Sequence, residues 1–153
     1  MSHRWFLAAM LLTACASPSP SPGPPTMDPG RLLPDFQAQF SNEAAAWNRG
    51  DLDTFMSDYA PGDLPTYVAR GHLVRGFDVI RSHYAPSFAP GARRDSLRIE
   101  EMQVRPITDR FVLLTARYIL FRGDSTTASG PFTLLMERRP DGWKILHDHS
   151  SSD

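Results

Sequence analysis

From residue 96 to its end the chain reads as strand after strand with tight turns between them, and this run limits the fold more than any other feature. Residues 96–104, 111–121, 131–138 and 143–150 carry the β-branched, aromatic and aliphatic side chains of strands. Thr108-Asp109-Arg110, Gly123-Asp124-Ser125 and Pro140-Asp141-Gly142 supply turn chemistry between them. Successive strands joined by short turns pair with their neighbours, so the C-terminal half predicts an antiparallel meander. Such a sheet has an apolar face, and something upstream must cover it.

The cover is readable upstream. Phe36, Phe40, Ala44 and Trp47 recur at helical spacing with Leu33 just before them, which predicts a helix over residues 34–48 with Pro34 in its first turn. Gly50 stops it, and Asp51 caps a short second helix whose stripe is Leu52, Phe55, Met56 and Tyr59. Residues 64–69 and 72–75 read as two strands about an Arg70-Gly71 turn. Gly76 opens a third helix carrying Phe77, Ile80, Tyr84 and Phe88, closed by Pro90-Gly91. Helices first and strands later give an α+β domain over residues 31–153, with three helices on one face of a curved antiparallel sheet.

Residues 1–30 belong to a different regime. Met1-Ser2-His3-Arg4 precedes an apolar run over residues 5–12, too short to stay in a bilayer as a spanning helix. The run ends in Leu12-Thr13-Ala14-Cys15 and resembles a bacterial lipoprotein signal over residues 1–14, with Cys15 the lipidated residue. That resemblance implies attachment to a membrane through lipid on Cys15 and residence in the cell envelope. Ala16 points to the outer membrane, facing the periplasm. An ordinary secretory signal with an incidental cysteine is the alternative. Residues 15–30 are Ser/Pro-rich and read as a tether, able at ~3 Å per residue to hold a domain up to ~45 Å from the membrane. Cys15 is the one cysteine, so no internal disulfide forms, and a net charge of -1 argues against a nucleic-acid partner.

The last strand concentrates polar chemistry behind large apolar residues. With regular alternation, Trp143, Ile145, His147 and His149 share one face, and Lys144, Leu146, Asp148 and Ser150 the other. Imidazole titrates near neutrality, so His147 and His149 are candidates for acid–base chemistry or ligand hydrogen bonding, with Asp148 beside them. The bland alternative has one histidine buried and Asp148 bonded to the junction after the first helix. Two alternating histidines could also ligate a metal, but no third donor is evident, so none is assigned.

Three stretches carry a family resemblance. Ala46-Trp47-Asn48-Arg49-Gly50-Asp51, Gly71-His72 through Gly76 with Ile80 and Tyr84, and Gly142-Trp143-Lys144-Ile145 through Ser151 resemble the cone-shaped nuclear transport factor 2-like fold. The closing strand is similar to its SnoaL-like and ketosteroid-isomerase-like subgroup. The resemblance covers about residues 32–152 and implies a pocket inside the cone, a small apolar ligand and a homodimer. It implies no cofactor. The Asp base and Tyr/Asp pair of the isomerases have no residue-by-residue match here. Trp47, Tyr59 and Trp143 are expected in the core and cone wall. Tyr67 and Tyr84 are expected to offer hydroxyls, and Arg117 to line a polar cavity or a dimer face. The function expected is a membrane-tethered small-molecule-binding domain. A general acid–base enzyme of isomerase, cyclase or dehydratase type is the alternative, and a purely structural dimerisation domain a third class.

Overall fold

The computed structural model describes residues 27–153. The signal sequence, Cys15 and nearly all of the tether lie outside the described residues. Helix α1 spans Pro29–Arg49, five residues longer at its start than the sequence pattern predicts. The reason is a cap: the Asp28 carboxylate accepts from the Gly30 N–H at 2.9 Å, and Pro29 follows it with a pre-set φ. Pro34 therefore sits inside the helix instead of opening it.

The exit from α1 is built by the Trp-Asn-Arg-Gly-Asp run. Gly50 is left-handed, with φ 82°, and a Cβ there would lie 2.7 Å from the Arg94 guanidinium. Asn48 acts as a piece of backbone: its side chain donates to the Leu97 carbonyl at 3.0 Å and accepts from the Leu97 N–H at 2.6 Å. Trp47 Nε1 donates to the Asp95 carbonyl at 2.9 Å. These bonds dock the end of α1 on the start of the meander. Asp51 caps α2, Leu52–Met56, by accepting from the Thr54 N–H at 3.0 Å.

Then come β1, Thr66–Ala69, β2, His72–Arg75, and α3, Phe77–Phe88. The meander is β3, Ser96–Pro106, β4, Phe111–Arg122, β5, Ser125–Arg139, and β6, Gly142–Ser150. All six strands form one curved sheet in the order β2-β1-β6-β5-β4-β3. The sheet is not wholly antiparallel, as expected from the turns alone. β1 runs parallel to β6, Thr66 opposite His147 and Tyr67 opposite Asp148. The crossover that a parallel pair needs is supplied by α3 and the whole meander.

The inner face of the sheet follows strand alternation. Val112, Leu114 and Ala116 of β4 and Leu134 and Met136 of β5 are buried against Phe36, Phe40 and Ile145. Glu137, on the outer side of β5, is buried but ion-paired to Arg110 and, at 2.7 Å, to Arg139. The helices close one side of the curved sheet, giving the cone-shaped α+β architecture.

One irregularity decides where the site lies. Leu135 pairs with His147, but Met136 pairs with Ile145, so β6 carries an extra residue, Leu146, at a β-bulge. Beside it Ile145, still opposite Met136, exchanges backbone bonds on its other edge with the segment after α2. The Ala60 N–H donates to the Ile145 carbonyl at 3.0 Å, and the Ile145 N–H to the Asp58 carbonyl at 2.7 Å. A bulge reverses the sense of alternation beyond it.

Candidate functional site

Inside the cone lies a cavity of about 490 Å3. Its walls are rings. Trp47, Phe55 and Tyr84, backed by Phe88, pack edge-on and tilted with centroids 4.9 to 6.4 Å apart, and Phe40 meets Phe132 at 6.5 Å. Leu134 and Ile145 contribute aliphatic surface.

Asp148 reaches this cavity because of the bulge. Ile145 and Asp148, three apart, both face inward, whereas regular alternation would send them to opposite sides. Asp148 is only 6% exposed. The Tyr59 hydroxyl donates to its Oδ2 at 2.6 Å, and the Ser150 hydroxyl to Oδ1 at 3.0 Å. Tyr59 is held in place by the backbone bridge beside Ile145. Its hydroxyl lies 3.5 Å from that of Tyr84, which in turn bonds to Tyr67. Three phenols thus lead to one carboxylate.

The charges follow from burial. Burial pushes the Asp148 carboxyl up to about 6, against the lowering effect of Tyr59, Ser150 and His149. Burial holds the Tyr59 and Tyr84 phenols well above their ordinary range, reinforced by the Asp148 charge. They stay neutral donors. Asp148 near neutral pH accepts or releases a proton easily, and the phenols can stabilise negative charge on a bound oxygen.

Glu43 is the residue the sequence reading missed. It lies on the same stripe of α1 as Phe36, Phe40 and Trp47, lines the cavity, and is 8% exposed. Its Oε2 is buried without a hydrogen-bond partner among the described residues. Burial above all, then the nearby Asp58 and Asp148, pushes its carboxyl well up, which favours the protonated form. A glutamate spaced as an apolar residue was the available signal.

The two histidines are not where the alternation placed them. His147 and His149 do share a face, with ring centroids 6.5 Å apart, but it is the outer face, away from the cavity. His147 Nδ1 is 2.7 Å from the Thr66 hydroxyl, and partial burial followed by His149 lowers its basicity. His149 is exposed. Trp143 packs on Phe36 at 5.3 Å and does not line the cavity. Nor does Arg117, which lies outside, 2.5 Å from Asp153 and 3.6 Å from Glu101. Trp47, Tyr67 and Tyr84 do line it, and Tyr59 stands just behind, bonded to Asp148. Among the described residues no group of three or more His, Cys, Asp or Glu side chains could hold a metal ion.

The rim is different in character. Arg70, His72, His83, Arg93 and Arg94 border the opening, together with Ser87, Ser151 and Ser152. The serines are held over β5 by backbone bonds from Ser151 to Pro131 and from Asp153 to Ser129, both 3.0 Å. Gly130 permits this crossing, since a Cβ there would lie 2.0 Å from the Ser151 carbonyl oxygen.

With this geometry in hand, known proteins give a consistent comparison. Residues 37–152 match the SnoaL-like domain family. A nuclear transport factor 2-like protein of unknown function from Shewanella oneidensis is 27% identical, covering 78% of this chain and 98% of that one, with a TM-score of 0.66. A second such protein of unknown function, from Pseudomonas putida, is 14% identical with a TM-score of 0.67, covering 81% of this chain and 88% of that one. A protein provisionally assigned as a ketosteroid isomerase, from Parabacteroides distasonis, is 19% identical with a TM-score of 0.59, covering 84% and 89%. For the last two the likeness is one of fold. No curated protein matches in sequence.

Proposed function

The chain belongs to the SnoaL-like domain family, and from that premise we propose that its cone binds a small, largely apolar molecule, anchored at the inner end by Asp148, Glu43 and the tyrosine chain. One observation carries the reading: a ring-walled cavity of about 490 Å3 with a few polar groups converging at its inner end. That combination is what small-molecule sites have and what packed cores avoid. The purely structural class requires a filled cone, and this cone is hollow.

A fluorescent naphthol tests it. One naphthol is expected to bind per domain, and Asp148→Asn to weaken it by roughly ten-fold or more, the usual scale of a hydrogen bond to a charged group. Non-saturable binding, or a Kd unmoved by both Asp148→Asn and Tyr84→Phe, would defeat the proposal.

A second reading is general acid–base catalysis, and the Asp148 carboxyl held up to about 6 beside a phenol chain favours it. Its minimal form is proton exchange at the carbon next to a carbonyl. Deuterium uptake by β-tetralone should then rise with pH through about 6 as Asp148 ionises, and vanish in Asp148→Asn. Exchange no faster than in buffer leaves the binding reading alone standing. His147 and His149 have no part in either reading, because they face away from the cavity.

The proposal also sets the domain at the envelope membrane through lipid on Cys15. Cys15→Ser should release the full-length protein into the soluble periplasmic fraction of its host. Retention in membranes would rule the anchor out.

A further inference from the structure

The rim carries an inference about the ligand's other end. The chain as a whole is nearly neutral, with 16 Lys and Arg against 17 Asp and Glu. The opening is not. Arg70, Arg93 and Arg94 border it, and none of the three is ion-paired among the described residues, whereas seven other arginines are. The acid at the rim, Asp95, is taken by Arg122. Arg94 is committed to the structure: it donates to the Ser87 carbonyl at 2.8 Å and lies over the Phe88 ring at 5.2 Å. Arg70 and Arg93 are exposed and in no ion pair among the described residues, although the Arg93 charge reaches Asp95 and helps to lower its carboxyl.

Arg70 is also oddly placed. It sits at φ 51° in the turn between β1 and β2, a left-handed position that glycine, asparagine or aspartate fills at lower cost. An arginine there gives up turn stability and gains a guanidinium at the mouth, close enough to Tyr67 for its charge to act on that phenol. Serine hydroxyls at positions 87, 151 and 152 add neutral donors to the same rim. The inner end has the opposite character, since its polar groups include the carboxyls of Glu43 and Asp148.

We propose that the ligand is an amphipathic anion, its apolar body in the cone and its carboxylate, or an equivalent anionic group, at the mouth against Arg70 and Arg93. The two ends of the cavity then fix orientation. A carboxylate pushed inward would meet Asp148 in a poorly screened site, and one left at the rim meets unpaired guanidinium groups and serine hydroxyls. An uncharged molecule of the same shape fills the rings but leaves the rim unused. This inference rests on the cavity being a ligand site, and its test is chosen to separate the two.

The probes are naphthoate and naphthamide, alike in shape and different in charge, titrated calorimetrically into the full domain. Naphthoate should bind roughly ten-fold tighter than naphthamide at low salt, with the gap closing as salt rises. The double variant Arg70→Ala, Arg93→Ala should remove that gap and leave naphthamide within about two-fold of its original affinity, since rim charges change little else. Both side chains are exposed, and an unchanged melting temperature checks the fold. Each single variant serves if the pair does not fold. If naphthamide binds as well as naphthoate, or if the preference for the acid survives both substitutions, the anionic ligand is wrong while the cavity reading stands. If neither probe binds saturably, both fall.

Discussion

The free energy of unfolding should fall as pH rises from about 4 to about 8, the reverse of what a domain with paired surface carboxylates shows. The cause is the inner end of the cavity. Asp148 is held up to about 6 from its ordinary 3.8, chiefly by burial, and Asp58, which does not line the cavity, likewise to about 6. Glu43 is raised as well. A carboxyl whose value is higher in the folded state binds its proton more tightly there. Its stabilising contribution is complete below the unfolded value and is lost as pH climbs through the folded one. For Asp148 alone the difference amounts to about 3 kcal/mol. Several groups run the other way. Asp51, pulled down to about 2 by Thr54 and Arg49, and the lowered Asp95 and Asp153 lose their contribution only below the ordinary carboxylate range. His147, lowered by partial burial, weakens the fold slightly as pH drops past its ordinary 6.5, but its ring is largely accessible and its share is small. The net expectation is a stability maximum on the acid side, near pH 4 to 5.

Urea unfolding across this range checks it. The wild-type curve should descend, and Asp148→Asn, which keeps an acceptor for Tyr59 but cannot ionise, should descend less by about 3 kcal/mol. A flat or rising wild-type curve would show that Asp148 is not the desolvated acid described above. The same measurement bears on function. A domain that keeps acids at the bottom of a hollow gives up stability at neutral pH, and such concessions gather where a protein binds or reacts.

Most of the fold was legible because its signals are local. Gly50 with Asp51, Gly76, and Pro140-Asp141-Gly142 end or begin elements by their own backbone conformation or, at Asp51, a side-chain cap, and each boundary lies within a residue or two of the pattern. The early start of α1 was hidden by Pro34, which looked like a first-turn proline when the real cap was Asp28. The first six residues of β5 were hidden by composition: Ser125 to Gly130 are small and polar and pair with β4 without burying much. The parallel pairing of β1 with β6 was out of reach, because nothing local in either strand records a partner about eighty residues away. The site was half legible. Trp47, Tyr67 and Tyr84 follow from helix and strand periodicity. The inward turn of Asp148 and outward turn of His147 and His149 depend on one inserted residue, Leu146, and a one-residue slip exchanges the two faces of a strand. The backbone bridge that accompanies the bulge, Tyr59 beside Ile145, is a tertiary contact and leaves no mark in the sequence of β6.

Removing either of two phenylalanines from α1 should cost similar stability but have different consequences for binding. Phe36 has no exposed surface and packs on Trp143 at 5.3 Å, outside the cavity. Phe40, one turn later, is equally buried against Phe132 but forms part of the cavity wall. Either Phe→Ala change should destabilise by about 3 to 5 kcal/mol, with Phe40→Ala at the lower end because its ring already borders empty space on one side. Against a total of about 5 to 15 kcal/mol this is severe, so both are best measured near the acid stability maximum. Binding separates them. Phe36→Ala should leave naphthol affinity within about two-fold once the folded fraction is accounted for, since no lining atom is lost. Phe40→Ala joins the volume of a phenyl ring to the cavity, so naphthol should bind more loosely while the larger hydroxypyrene gains affinity relative to naphthol. If the preference between hydroxypyrene and naphthol does not move in Phe40→Ala, or if Phe36→Ala moves it as much as Phe40→Ala does, the wall has been drawn in the wrong place, and with it the hollow on which the binding site depends.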